Sequence, residues 1–294
     1  MTSSNGLPNS ERAQPVAKST AFALETKHLT TGYAERTILD DLTVSVRRGD
    51  FTVIIGANAS GKSTLLRSFA RLLPPRSGQV LLDGTPITKF APKQLAQQLG
   101  LLPQQTTVPP GITVSELVSR GRHPHQGVFR RWSPADEAAV RHALEATHLV
   151  ELRGRTVDEL SGGQRQRVLI AMVLAQETEI LLLDEPTTFL DISHQIEVLE
   201  LAAELHRSGR TLVAVLHDLN QAARYASNLI VMKHGRILAT GNPNDILTSE
   251  LVAEAFSVRA RILQDPETGT PLVVPLPGMG AVVSPPNPEG ASNS

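Results

Sequence analysis

Residues 56–63 read Gly56-Ala57-Asn58-Ala59-Ser60-Gly61-Lys62-Ser63, with Thr64 next. They follow a mostly apolar run, Phe51-Thr52-Val53-Ile54-Ile55, that predicts a strand, and they open a stretch of helical spacing over 62–73 that Pro74-Pro75 is expected to stop. A glycine loop between strand and helix aims backbone N–H groups and the positive end of the helix dipole at one point, which suits a polyphosphate. Gly56, Asn58, Gly61, Lys62, Ser63 and Thr64 are the candidate contacts. Lys62 is expected to reach the β and γ phosphates, and the Ser63 hydroxyl to ligate Mg²⁺.

Working outward, residues 21–55 carry short alternating runs such as Leu42-Thr43-Val44-Ser45-Val46, then the turn Arg48-Gly49-Asp50, which predicts an antiparallel β-layer. Helical spacing dominates residues 106–159, notably 114–120 and 134–149, with Ser133 as N-cap ahead of Pro134. An inserted helical subdomain is expected there. Apolar runs at 180–183 and 212–216, separated by a helical stretch at 192–206, predict βαβ units and a buried parallel sheet. The fold class is therefore α/β. Residues 1–20 and 277–294 are rich in Ser, Asn, Pro and Gly and are expected to be disordered tails around a domain at 21–276.

Composition narrows the function. Among 294 residues, 28 basic side chains face 29 acidic ones, so a nucleic-acid partner is not expected. The absence of cysteine removes disulfides, iron–sulfur ligation and thiolate zinc sites, and fits a reducing cytosol. Residues 1–20 lack the apolar core of a signal peptide or anchor, and no apolar run approaches the roughly 20 residues of a membrane-crossing helix. A transport role would need a pore from another polypeptide.

Asp184 and Glu185 end the strand at 180–183, at the carboxyl edge where open α/β sheets bind ligands. Asp184 is expected to hold Mg²⁺ through water, and Glu185 to orient and deprotonate the attacking water. His217 ends the strand at 212–216 in the same way, within reach of a γ-phosphate. Ser161, Gly162, Gly163 and Gln164, in Leu160-Ser161-Gly162-Gly163-Gln164, precede a helical stretch at 165–175 and form a second anion site at a helix entrance.

Residues 56–63, Gln104, 160–164, 180–185, Leu190-Asp191 and His217 stand in the order and spacing of the ABC ATPase family, a resemblance that covers roughly 21–247. It implies a P-loop NTPase (RecA-like) core with an antiparallel β-subdomain and an inserted α-helical subdomain, binding ATP and Mg²⁺. It further implies that two such domains pair head to tail, each ATP lying between one copy's phosphate loop and the other's signature pentapeptide. One chain carries one of each, so a second copy or a sibling subunit is expected as partner. Tyr33 resembles the family's adenine-stacking aromatic; a buried core tyrosine is the alternative. Gln104 resembles the glutamine that touches the metal or the attacking water and starts the loop facing the transmembrane partner. Asp191 resembles the aspartate between the two ATP sites, and would equally serve as a helix N-cap.

Within that family, Gly121-Arg122-His123-Pro124-His125, the run from Asp184 to Gln195, and the stretch from Asp265 to Leu276 are similar to the iron-siderophore, haem and cobalamin importers, the last to ferric enterobactin-type subunits. The implied function is ATP hydrolysis energising ferric siderophore import through separate permease subunits, served indirectly by a substrate-binding protein, at the cytoplasmic face of the inner membrane. Haem, cobalamin or another metal chelate as cargo, or a soluble non-transport ATPase, are the alternatives. His123 and His125 stand beside Arg120, Arg122, Arg130 and Arg131, which argues against a bound cation and for a solvated or permease-facing loop. Ala57 and Ala59 stand where the family has Pro and Gly. A positive φ at Ala59 would cost about 1 kcal/mol and weaken nucleotide affinity.

Overall fold

The computed structural model describes residues 21–127 and 132–277. Three sheets organise the described residues, and their strands and helices run in this order: β1 Phe22–Tyr33, β2 Arg36–Arg47, β3 Phe51–Gly56, α1 Lys62–Phe69, β4 Ser77–Leu82, β5 Thr85–Pro86, α2 Pro92–Ala96, β6 Leu99–Leu102, α3 Val114–Ser119, α4 Pro134–Ala146, α5 Gly162–Leu174, β7 Ile180–Asp184, α6 Ile192–Arg207, β8 Thr211–Val215, α7 Leu219–Tyr225, β9 Asn228–Lys233, β10 Arg236–Gly241, α8 Pro243–Ile246, α9 Ser249–Phe256, β11 Ala260–Gln264 and β12 Pro271–Pro275. A six-stranded sheet has the order β10-β9-β3-β8-β7-β6, parallel except for β10. An antiparallel sheet has the order β2-β1-β4-β5, and β11 and β12 form a hairpin.

The central strand β3 is buried at all six positions, as a parallel strand covered on both faces must be. Alternate residues feed two separate cores. Phe51, Val53 and Ile55 join Leu181, Leu183, Leu212, Ala214 and the helices on one side. Ile54 joins Leu182, Val213, Val215 and the antiparallel sheet on the other. Each fully buried Leu, Ile or Phe contributes about 2 kcal/mol of transfer free energy. The expected α/β core and antiparallel β-layer are both present.

Two helices are shorter than their spacing predicts. α1 ends at Phe69 rather than 73, because Arg71 turns left-handed (φ 56) and spends its guanidinium on the carbonyls of Ile87 and Phe90, at 3.2 and 2.6 Å. α4 ends at Ala146 rather than 149: the Thr147 hydroxyl donates to the Ala143 carbonyl and His148 is left-handed (φ 54). Its start is as expected, with Ser133 Oγ accepting from Asp136 N and the Asp136 carboxylate from Ser133 N. α5 begins earlier than expected, at Gly162, because Ser161 and Gln164 close a reciprocal capping box.

The loop after α3 also differs from expectation. Residues 120–125 form a 3₁₀ turn that faces partly inward. Arg122 is sealed, donating through Nε to Asp136 (3.0 Å) and through Nη1 to Glu177 and the Ala175 carbonyl (both 2.7 Å), and a Cβ on Gly121 would stand 2.0 Å from the Met172 carbonyl oxygen. The turn is packed because a guanidinium with carboxylate partners is stable when buried. Arg130 and Arg131 lie outside the described residues. No helix among the described residues is long and apolar enough to cross a membrane.

Candidate functional site

β3, β7 and β8 are adjacent and parallel, so the segments leaving their carboxyl ends share one edge. The loop after β3 turns at Gly56, whose φ of 155° only glycine adopts freely and whose Cβ would stand 2.2 Å from the Met232 carbonyl oxygen. Gly61 caps α1 without any side-chain acceptor. The first-turn amides therefore face a cavity of ≈ 310 Å³ lined by residues 58–64, Arg36, Ile38, Glu185 and His217. A larger cavity, ≈ 680 Å³ between β1, β2 and β10, contains none of the expected site residues.

Lys62 is buried, and its ammonium donates to the carbonyls of Gly56 (2.9 Å) and Ala57 (3.1 Å). Burial lowers its pKa, against the opposing pull of the Glu185 and Asp184 carboxylates. Asp184 is only 2% exposed. Burial raises its pKa, opposed by a hydrogen bond from the Ser63 hydroxyl and by the Arg67 guanidinium 3.9 Å away. Its Oδ1 has no hydrogen-bond partner. A buried carboxylate oxygen without a donor, beside a hydroxyl, is a donor set that fits a hard, oxygen-seeking divalent cation.

Glu185 sits in the left-handed region (φ 54), which folds its carboxylate back along the sheet edge. His217 Nε2 lies 2.7 Å from Oε1, while Gln104 Nε2 donates to Oε2 at 2.7 Å and Thr188 Oγ1 at 3.1 Å. Three expected residues, from segments 81 and 32 positions apart on either side of Glu185 (185 − 104 and 217 − 185), thus meet on one carboxylate.

The other expected residues stand apart. Ser161 to Gln164 do not line the cavity; they form the cap and first turn of α5. Asp191 caps α6, its Oδ1 accepting from His194 N (3.0 Å), Ser193 Oγ (2.9 Å) and His194 Nδ1 (2.7 Å). The His194 backbone N–H is the chief reason its carboxyl titrates below the usual range. The His194 ring in turn lies against Gly163, where a Cβ would come within 2.0 Å of Cδ2. Tyr33 is 42% exposed at the end of β1, so the buried-core alternative does not hold.

Sequence reasoning missed Arg67 and Thr188. Arg67 Nη1 donates to the Tyr33 hydroxyl at 3.1 Å while its Nε faces Asp184, a bridge made by tertiary folding that no local pattern announces. Thr188 was open to inference, since a hydroxyl three residues beyond a left-handed turn residue can bond back to it.

Residues 39–188 match the family described as ABC transporter. The ferric enterobactin transport ATP-binding protein FepC of Escherichia coli (strain K12) is 56% identical over 254 residues, covering 86% of this chain and 94% of that protein. The petrobactin import ATP-binding protein FpuD of Bacillus anthracis is 50% identical, covering 86% and 93%. Among solved structures, a dimeric ATP-binding cassette in a post-hydrolysis state bound to ADP and phosphate superposes with a TM-score of 0.65 at 28% identity, covering 74% of this chain and 98% of that one. With a phosphate loop, an Asp-Glu pair and a histidine converging at one sheet edge, and with these relatives, the chain belongs to the ABC transporter family.

Proposed function

We propose that this chain is the ATP-hydrolysing subunit that energises import of a ferric siderophore through separate permease subunits, working as a pair of copies at the cytoplasmic face of the inner membrane. The observation that carries the reading is the Glu185 carboxylate, held at the rim of the phosphate-loop cavity by His217 and Gln104.

ATP seats its β and γ phosphates on backbone amides of the 58–64 loop, apart from Ser60 N, which donates to the Ala57 carbonyl, and on the Lys62 ammonium. Glu185 accepts a proton from a water whose oxygen attacks the γ-phosphorus as the bond to the β-phosphate bridging oxygen breaks. His217 and Gln104 keep the carboxylate aimed, so positioning and charge neutralisation supply most of the rate. Ser63, Asp184 and Gln104 are the residues to hold Mg²⁺, which when bound neutralises phosphate charge. Tyr33 stacks on the adenine. Ser161, Gly162, Gly163 and Gln164 act on the nucleotide of the second copy, since they lie outside this chain's own cavity, and Asp191 stands between the two sites. The loops around Gln104 and Gly121, within the domain at 21–276, transmit the motion to the permease.

The cargo reading is supported by the similarity to the E. coli ferric enterobactin subunit. Glu185→Gln is expected to keep ATP binding and slow turnover at least about a hundredfold; full turnover would remove Glu185 from the base role. Uptake measured with ferric siderophores, haem and cobalamin in cells lacking the chain assigns the cargo. Restoration of haem or cobalamin uptake alone would reject the siderophore.

A further inference from the structure

α7 starts directly after the His217-Asp218 pair, and its first turn is gripped on two sides. Asp218 Oδ1 accepts from Asn220 N and Gln221 N, both at 2.8 Å, which fixes the helix start relative to His217. The Asn220 side chain clasps a single residue of the C-terminal hairpin: its Oδ1 accepts from Val273 N at 2.7 Å and its Nδ2 donates to the Val273 carbonyl at 3.3 Å. Val273 is 5% exposed and shares the core with Ala222, Ala223, Val252 and Ala260, so the clasp is anchored in packed structure rather than in a loose tail. On the other side, Gln221 Nε2 donates to Gln195 Oε1 at 2.8 Å, and Gln195 Nε2 donates to the Leu190 carbonyl at 3.0 Å. That carbonyl belongs to the turn that carries Glu185, Thr188 and Asp191.

We infer that Asn220 is a positioning residue through which the hairpin of β11 and β12 sets the placement of His217, and thereby of Glu185. The hairpin lies beyond the 39–188 segment that matches the family. A side-chain amide with both a donor and an acceptor satisfied by one backbone residue has little freedom to swing. The helix start it holds therefore inherits the rigidity of the hairpin's core contacts. Displacing a catalytic carboxylate's partner by a fraction of an ångström is enough to lower the rate.

The inference rests on the reading of His217 and Glu185 as a catalytic pair. The test uses the full chain with Asn220→Ala, which removes both bonds to Val273, and Asn220→Asp, which keeps the acceptor for Val273 N. Steady-state hydrolysis gives kcat and KM for ATP, and NMR follows the His217 imidazole resonance, identified by its loss in His217→Ala. Asn220→Ala is expected to lower kcat about tenfold with KM held within about twofold, and to shift the His217 resonance; Asn220→Asp falls between it and the wild type. If Asn220→Ala does not fold, Asn220→Asp carries the same comparison. An unmoved His217 resonance, or a KM that rises in step with the fall in kcat, overturns this inference alone. Full turnover in His217→Ala overturns the underlying reading instead.

Discussion

Replacing Gly163 by alanine puts a methyl group 2.0 Å from His194 Cδ2 and 2.4 Å from Cγ. Ordinary carbon–carbon contact lies near 3.5 Å, so the ring must retreat by about 1.5 Å. That displacement breaks the 2.7 Å bond from His194 Nδ1 to Asp191. Overpacking costs about 1–3 kcal/mol and the lost bond about 1 kcal/mol. Alanine in the first turn of α5 regains up to about 1 kcal/mol of helix propensity. Gly163→Ala should therefore destabilise the chain by about 2 kcal/mol. In a His194→Ala background the ring is gone while the backbone N–H of residue 194 still donates to Asp191, so the same substitution should become neutral or mildly stabilising. Urea denaturation of the four proteins reads this change of sign. An equal loss in both backgrounds would refute the claim that the His194 ring is what occupies the space beside Gly163.

Four further outcomes are expected. Arg122→Met strands the sealed Asp136 carboxylate and should cost about 3 kcal/mol in urea unfolding, whereas a cost under about 1 kcal/mol would mean that the carboxylate is solvated. The Asp136 carboxyl is held at about 2, chiefly by the Ser133 hydroxyl, with Arg122 assisting against burial. Its folded value lies below the ordinary 3.8, so its stabilisation is complete above about pH 4 and fades as pH falls toward 2; the gap in stability between wild type and Asp136→Asn should close over that window, and a constant gap would contradict it. Ala59 does adopt a positive φ, 61°; Ala59→Gly relieves about 1 kcal/mol of strain against about 0.5 kcal/mol of chain entropy, so calorimetry should show a slightly higher melting temperature, and a lower one would deny the strain. Tyr33→Ala should weaken ATP binding about tenfold while Tyr33→Phe keeps most of it, because a ring face stacks with or without its hydroxyl; equal losses would point to the Arg67 bond instead.

Much of this architecture was legible where chemistry is local. The strand, loop and helix around Lys62 declare themselves by glycine spacing, and Asp184, Glu185 and His217 by ending apolar runs that had to be parallel strands. The Ser133 cap was readable from Ser133 standing ahead of Pro134. Local patterns failed where distant segments decide. α1 stops at Phe69 because Arg71 finds carbonyls 16 and 19 residues further on. The turn at 120–125 reads as a solvated or permease-facing loop, yet Arg122 within it is sealed by acids from two helical ends. Arg67 joins Tyr33, 34 positions before it, to Asp184, 117 positions after it (184 − 67), and the hold of Val273 on Asn220 spans 53.

The partition of side chains between the two faces of the six-stranded sheet has a consequence for how such a chain tolerates change. Neighbouring residues of β3, β7 and β8 are bricks in opposite rooms sharing one wall. Deleting or inserting a single residue inside any of these strands would send every later brick through the wall to the wrong room. Length variation is therefore confined to the connections, where the chemistry sits, and a new chemistry is easier to graft onto this scaffold than a new length of strand.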